Sequence, residues 1–325
     1  MSNSNYGPEN NDEKSVDPTR HPDNDSFPFL AAVKSQVFHK VLEIAKKVAR
    51  FNSSVLIRGE TGVGKEVVAR YIHNTSPRAK NLMLAINCGA FPETLLESEL
   101  FGHKAGSFTG AIKDRVGIFE QAARGTILLD EIGDVSQVTQ LKLLRVFQER
   151  EILRIGENIP RKVDTRIISA TNRNLEKVVL EGKFREDLLY RLRVIEIRIP
   201  PLRERPEDII SLTEYFIKRL IVRLELPNLN LNRECLEYFQ AYQWPGNVRE
   251  LRNAIEQAAI LSENGNVRPE HLPPHILNPD FHFQRFDMSK PRTLKDMESE
   301  YIKVILKLSN GNKARAARTL GIGQA

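Results

Sequence analysis

Gly59-Glu60-Thr61-Gly62-Val63-Gly64-Lys65 follows a short β-rich run, Val55–Ile57, and leads into an amphipathic one, Val67–His73. Its glycines let backbone N–H groups curl around an anion, and a helix starting at the end of the loop adds positive potential. The stretch reads as a phosphate-binding loop, with Lys65 placed to reach the β- and γ-phosphates of a nucleotide. Outward from it, the strand candidates Leu82–Ile86, Thr126–Leu129, Arg166–Ala170 and Val194–Ile199 alternate with amphipathic segments. One of these is Val138–Glu149, where Val138, Leu141, Leu144 and Phe147 recur every three residues. Such alternation from Phe27 to about Ile199 implies an α/β fold, a mostly parallel sheet covered by helices.

From Pro200 the strands stop. Pro206 suits a first helical position, with Glu207 and Asp208 favourable at the positive end of the helix dipole. Ile209, Leu212, Phe216 and Leu220 then form one apolar stripe. Residues 200–277 read as a helical lid, and 278–292 as a polar linker. Residues 1–26 hold only Met1, Tyr6 and Val16 as hydrophobics, too few to offset chain entropy, so this segment is expected to be disordered.

With 325 residues, 41% hydrophobic and 28% charged, the chain has the composition of a soluble protein with ample length for a core. No apolar run approaches the roughly 18 residues of a membrane span, and no secretory signal opens the chain. Cys88 and Cys235 lack metal-ligand spacing and are expected as buried thiols in a reducing cytoplasm. The formal charge of +6 is uneven: residues 1–26 carry six acidic against two basic side chains, and residues 285–325 nine basic against four acidic. A basic end fits nucleic acid, and equally a solvated helix face.

Two further stretches carry chemistry. Ile127-Leu128-Leu129-Asp130-Glu131 is an apolar strand candidate ending in two acids. Behind a phosphate loop, Asp130 falls near a Mg2+ shell, directly or through water, and Glu131 can polarise an attacking water. Gly106-Ser107-Phe108-Thr109-Gly110-Ala111 frames an aromatic and a hydroxyl with glycines, giving an exposed tip that can offer an apolar contact at little steric cost. Taken alone it could equally be an ordinary surface loop.

In this order the motifs resemble those of bacterial enhancer-binding proteins, the AAA+ activators of sigma-54 RNA polymerase. Those carry Gly-Ala-Phe-Thr-Gly-Ala in the hexapeptide, so Ser107 is a departure, and a Lys-Glu pair like Lys65-Glu66 is normal among them. The resemblance implies an ATPase using ATP and Mg2+, with a sigma-54 contact at Gly106–Ala111 and a homo- or hetero-hexameric ring. It implies nucleotide contacts along Gly59–Glu66 and a sensor at Thr171 and Asn172. Asn87 matches an asparagine that pairs with the catalytic Glu131. Arg249, in Trp244-Pro245-Gly246-Asn247-Val248-Arg249-Glu250-Leu251, matches an arginine that contacts nucleotide. Arg185 and Arg191, in Phe184–Leu192, are spaced to face one side of a helix and match arginines that enter the neighbouring subunit's site. Surface salt bridging is the competing reading.

From Thr293 the chain resembles the start of a Fis-type helix-turn-helix. Met297, Tyr301, Val304, Ile305 and Leu308 form a stripe, and Gly321-Ile322-Gly323 looks like the turn. Lys313, Arg315 and Arg318 are the candidate contacts to promoter DNA. The chain stops at Gln324-Ala325, where a recognition helix would follow, so the expected binding is weakly specific. The receiver domain that members of this family often carry is likewise not expected in front of Phe27. Two alternatives remain: another AAA+ remodelling machine, or a non-enzymatic DNA-binding regulator on the same scaffold.

Overall fold

The computed structural model describes residues 26–108, 110–278, 293, 298, 302, 305, 306 and 312–322. The expected disorder of 1–26, the linker after residue 278 and the position of Thr109 fall wholly or almost wholly outside those residues. Five parallel strands form the central sheet: β1 (Val55–Arg58), β2 (Met83–Asn87), β3 (Thr126–Asp130), β4 (Arg166–Thr171) and β5 (Ile195–Arg198), in the order β2-β3-β4-β1-β5. Every expected strand is present within one or two residues at its ends. The register aligns Arg58 with Thr171 and Asn87 with Asp130, so the carboxyl ends of four strands meet at one edge. Ligands of open parallel sheets bind at that edge.

The helices of the sheet layer and the lid include α1 (Ser26–Ala32), α2 (Gln36–Ala49), α3 (Lys65–Asn74), α4 (Glu93–Phe101), α5 (Gln137–Glu149), α6 (Glu186–Leu192), α7 (Pro206–Leu224), α8 (Arg233–Ala241) and α9 (Asn247–Leu261). Strand alternation sends Leu56, Ile127, Leu129 and Ile167 to one face, where they bury with Leu100, Phe101, Leu143, Val146 and Leu188. The opposite face carries the buried Ile57, Leu128 and Ile168, with α3 packed on it. Arg166 is fully buried there, and its guanidinium donates to the carbonyls of Ala49 (2.8 Å) and Val48 (2.9 Å). A cation at the carboxyl end of α2 satisfies carbonyls that the helix leaves open.

One expectation needs correction. The stripe Val138, Leu141, Leu144, Phe147 is not the buried face of α5: Val138 and Leu141 are 52% and 48% exposed, whereas Thr139, Gln140, Leu143, Val146 and Phe147 are buried. Strict steps of three fall about 60° short of a full turn each time, so four such residues wind halfway round the helix. The stripe Ile209, Leu212, Phe216, Leu220 of α7, mixing steps of three and four, is buried throughout. Helix α1 packs both on α3 and on the lid helix α7, where Phe29 meets Tyr215 and Phe216 at ring-centroid distances of 6.0 and 6.4 Å.

The lid comprises α7, α8 and α9 around the fully buried Trp244, whose indole N–H donates to Phe239 O (2.7 Å). Residues Leu277–Ala325 form a separate compact unit. Within it a helix spans Lys313–Leu320, Ile305 and Ala316 are buried, and Gly321 takes φ +67° as the helix ends. Lys313 and Arg318 are exposed, and the Arg315 side chain is outside the description. Among the described residues no helix is long and apolar enough to cross a membrane.

Candidate nucleotide site

A cleft of about 1020 Å3 opens at the carboxyl edge of the sheet, between the phosphate loop and the lid. Thr61, Gly62, Gly64, Lys65 and Glu66 line one wall, Asn87, Asp130 and Glu131 the floor, and Val248 and Arg249 the lid side. Phe29 and Leu220 add an apolar end. Gly62 has φ +80°, and a Cβ there would lie 2.3 Å from Gly246 O, so only glycine lets loop and lid come this close.

Lys65 is buried, and its ammonium donates back to Gly59 O (3.0 Å) and Glu60 O (3.2 Å). Burial pulls its pKa down, opposed by the charges of Asp130 and Glu131. Burial likewise pushes Asp130 up, opposed first by Lys65. Each partner is therefore pressed towards its neutral form by burial and held charged by the other. Glu131 adopts a left-handed backbone (φ 55°), which turns the chain sharply after β3 and carries its carboxylate over Gly89.

Other predicted residues have different partners. Asn87 makes no hydrogen bond to Glu131. Its Oδ1 accepts from Gly89 N (2.8 Å), capping the turn that follows β2. Thr171 is fully buried, with Oγ1 accepting from Arg173 N (3.0 Å), so it faces away from the cleft. Asn172 does reach the loop, donating to Thr61 Oγ1 (3.1 Å). Glu66 pairs with Arg70 along α3 (2.7 Å), and Glu60 with Arg203 (2.7 Å). Both carboxylates thus serve the protein scaffold in this arrangement.

Arg185 and Arg191 do not share a helical face, because α6 begins only at Glu186. Arg185 precedes it in extended backbone and pairs with Asp187 (2.7 Å). Arg191 is exposed in the last turn, without a hydrogen bond or ion pair among the described residues. The buried Gln140 sets this segment, accepting from Arg185 N (2.8 Å) and donating to Lys183 O (3.0 Å).

The Gly106–Ala111 loop lies apart from the cleft. Its base is closed by Gly106 N to Ala111 O (2.7 Å) and by Asp114, which holds Lys104 (2.6 Å) and Ala105 N (2.9 Å). Phe108 is half-buried rather than exposed, its ring edge-on to His103 at 4.9 Å, and His103 is fixed by Ser98 (2.7 Å). The hydroxyl of Ser107 is buried without a hydrogen-bond partner among the described residues.

Sequence reading missed Asn247, Arg205 and Asp208 as site-building residues. Asn247 is fully buried at φ 53°, a conformation asparagine tolerates better than most residues. Its Oδ1 accepts from Leu202 N (2.7 Å), and its Nδ2 donates to Glu60 Oε2 and Thr61 O, both at 3.1 Å. No local pattern singled these three out: the charged neighbours Arg203 and Glu204 are exposed, and only Arg205 of that run is buried.

Comparison with known proteins agrees with this architecture. Residues 31–198 match the Sigma-54 interaction domain, 203–285 the AAA+ ATPase lid domain, and 293–324 the Bacterial regulatory protein, Fis family. The chain is 49% identical over 288 residues to the nitrogen fixation protein VnfA of Azotobacter vinelandii, covering 87% of this chain and 54% of that one. It is 45% identical over 284 residues to the regulatory protein AtoC of Escherichia coli, covering 86% and 62%. The chain thus spans little more than half the length of these relatives. The crystal structure of NtrX from Brucella abortus in complex with ADP superposes with a TM-score of 0.70 at 35% identity, over 90% of this chain and 65% of that one. With a sigma-54 interaction domain over more than half of its length, an AAA+ lid behind it and a Fis-family segment after that, the chain belongs to the AAA+ family of sigma-54-dependent transcriptional activators.

Proposed function

We propose that this protein hydrolyses ATP and uses the cycle to remodel a sigma-54 RNA polymerase closed complex into an open one through the Gly106–Ala111 loop. The observation that carries the reading is the meeting of Lys65, Asp130, Glu131 and Arg249 around one cleft. The loop N–H groups and Lys65 hold the phosphates, and Glu131 orients and deprotonates the attacking water. Phe29, Leu220 and Val248 give the base an apolar seat. Mg2+ fits this donor set, a hard cation for which Asp130 offers a partly buried carboxylate at the edge of the cleft. Held by Asp130, the ion would supply positive charge against that developing on the transferred group.

Arg191, exposed and unpaired, is suited to entering a neighbour's cleft, with Arg185 beside it released from Asp187. Hydrolysis then requires assembly, a homo- or hetero-hexameric ring in the bacterial cytoplasm. Lys313, Arg315 and Arg318 supply phosphate contacts to upstream promoter DNA. The test separates hydrolysis from coupling. Phe108→Ala removes an apolar anchor of the kind often worth ~2 kcal/mol or more at an interface. It is expected to keep most ATPase activity and lose open-complex formation at a sigma-54 promoter. Coupling per ATP equal to wild type would remove the loop from this role.

A further inference from the structure

We propose that the helical lid sets the phosphate-binding geometry of the loop by gripping three successive carbonyls, with Asn247 and Arg205 as positioning residues. This rests on the reading that the cleft binds ATP. The contacts run in order along the chain. Asn247 Nδ2 donates to Thr61 O (3.1 Å), Val248 N to Gly62 O (3.1 Å), and Arg205 Nη2 to Val63 O (2.9 Å).

The consequence follows from peptide geometry. In a planar trans peptide the carbonyl of one residue and the N–H of the next point in opposite directions. Holding the oxygens of residues 61, 62 and 63 on Asn247 Nδ2, Val248 N and Arg205 Nη2 therefore turns the N–H groups of Gly62, Val63 and Gly64 away from those three donors. Gly62 N and Gly64 N have no acceptor among the described residues, while Val63 N makes only a long contact to Glu60 O (3.5 Å). These are the donors an anion would take. A loop with glycines at both positions has little stiffness of its own, so the grip replaces an entropic cost that nucleotide would otherwise meet.

Both gripping side chains are themselves fixed. Asn247 is pinned from behind by Leu202 N (2.7 Å), and Arg205 lies over the Phe38 ring (4.7 Å) beside Asp208. Neither lines the cleft, so each acts through the loop rather than on the ligand.

The test uses the full chain with N-methylanthraniloyl-ADP as a fluorescent probe, together with peptide-resolved hydrogen exchange. Asn247→Asp is isosteric and keeps the acceptor for Leu202 N, but sets an oxygen against Thr61 O and Glu60. Probe affinity is expected to fall about tenfold, in line with losing a buried polar contact. Exchange is expected to rise in the 59–64 peptide and not in β1 or β3. Asn247→Gly, which keeps the left-handed backbone without strain, is the second variant should the first fail to fold, and the same result is expected. Affinity within twofold of wild type, or exchange rising equally across the sheet, would overturn the proposal. If wild type binds probe without hydrolysing ATP, the enzymatic reading fails while this one stands. If wild type hydrolyses ATP and both Asn247 variants bind probe as it does, only this one fails.

Discussion

Asp208→Ala is expected to be among the most damaging single changes outside the sheet. The carboxylate is fully buried in the first turn of α7. Its Oδ1 accepts from Lys34 N and Ser35 N, both at 2.7 Å, and its Oδ2 from Ser35 Oγ at 2.8 Å. Arg205, also fully buried, faces Oδ2 at 3.7 Å, and its Nε and Nη1 have no hydrogen-bond partner among the described residues, so Asp208 is its nearby countercharge. Burial has already lowered the Arg205 pKa to about 10. Deleting one member of a buried pair costs about 3–5 kcal/mol. Two backbone donors left without acceptors add to that, each on the order of 1–3 kcal/mol and not fully additively. A loss of about 4 kcal/mol or more is therefore expected, roughly an 8–16 °C fall in Tm for a unit of this size. Asp208→Asn keeps an acceptor for the two backbone N–H groups and is expected to lose about half as much. Trp244, the single tryptophan, reports unfolding of the lid by fluorescence in urea. A loss below ~1 kcal/mol for the alanine variant, or equal losses for Ala and Asn, would refute the claim that this carboxylate holds the charge and the chain entry together.

Three outcomes are expected elsewhere. Mixing Arg191→Ala with Glu131→Gln chains should restore part of the ATPase activity that each lacks alone, because a mixed interface can pair one intact arginine with one intact carboxylate; mixed rings that stay inactive would exclude a trans role for Arg191. Glu131→Gln alone should bind ATP as wild type does and fail to turn it over, which single-turnover assays measure directly. His73 is buried against Thr126 Oγ1 (2.9 Å), and burial lowers its pKa below the usual 6.5. As pH falls through that value the unfolded chain takes up a proton that the folded chain refuses, so stability should drop on the acid side, and His73→Gln should flatten the pH slope of the urea midpoint.

The phosphate loop and Asp130-Glu131 were legible because each is a contiguous run whose chemistry and strand context stand together in the chain. The α7 stripe was legible too, since its apolar spacing matches the helical repeat. The α5 stripe misled because spacing by threes resembles helical periodicity over one turn and departs from it over three. Asn87 and Thr171 were located at the right strand ends, yet their side chains found local turn N–H groups at Gly89 N and Arg173 N. Short polar side chains next to a turn commonly do so. Which of two nearby donors such a residue meets depends on backbone direction, and residue identity does not encode that. The same holds for Phe108: flanking glycines give freedom, and only packing against His103 reveals where the ring rests.

By itself the sequence determined the parallel α/β core, the position of its glycine-rich loop between strand and helix, the lid that follows and the family to which they belong. These rest on periodicity and on motifs that read along the chain. The tertiary structure alone decided how lid and loop hold each other. Asn247 and Glu60 are 187 residues apart and Arg205 and Val63 142 apart, yet each pair is within hydrogen-bond reach. It also decided that Asp208, on sequence a favourable helix-start acid, would be a buried anchor for the chain entering α2. The physical reason is common to all of these. Buried polar groups must find partners, and which partners are near is fixed by the packing of the sheet and lid, which no local stretch specifies.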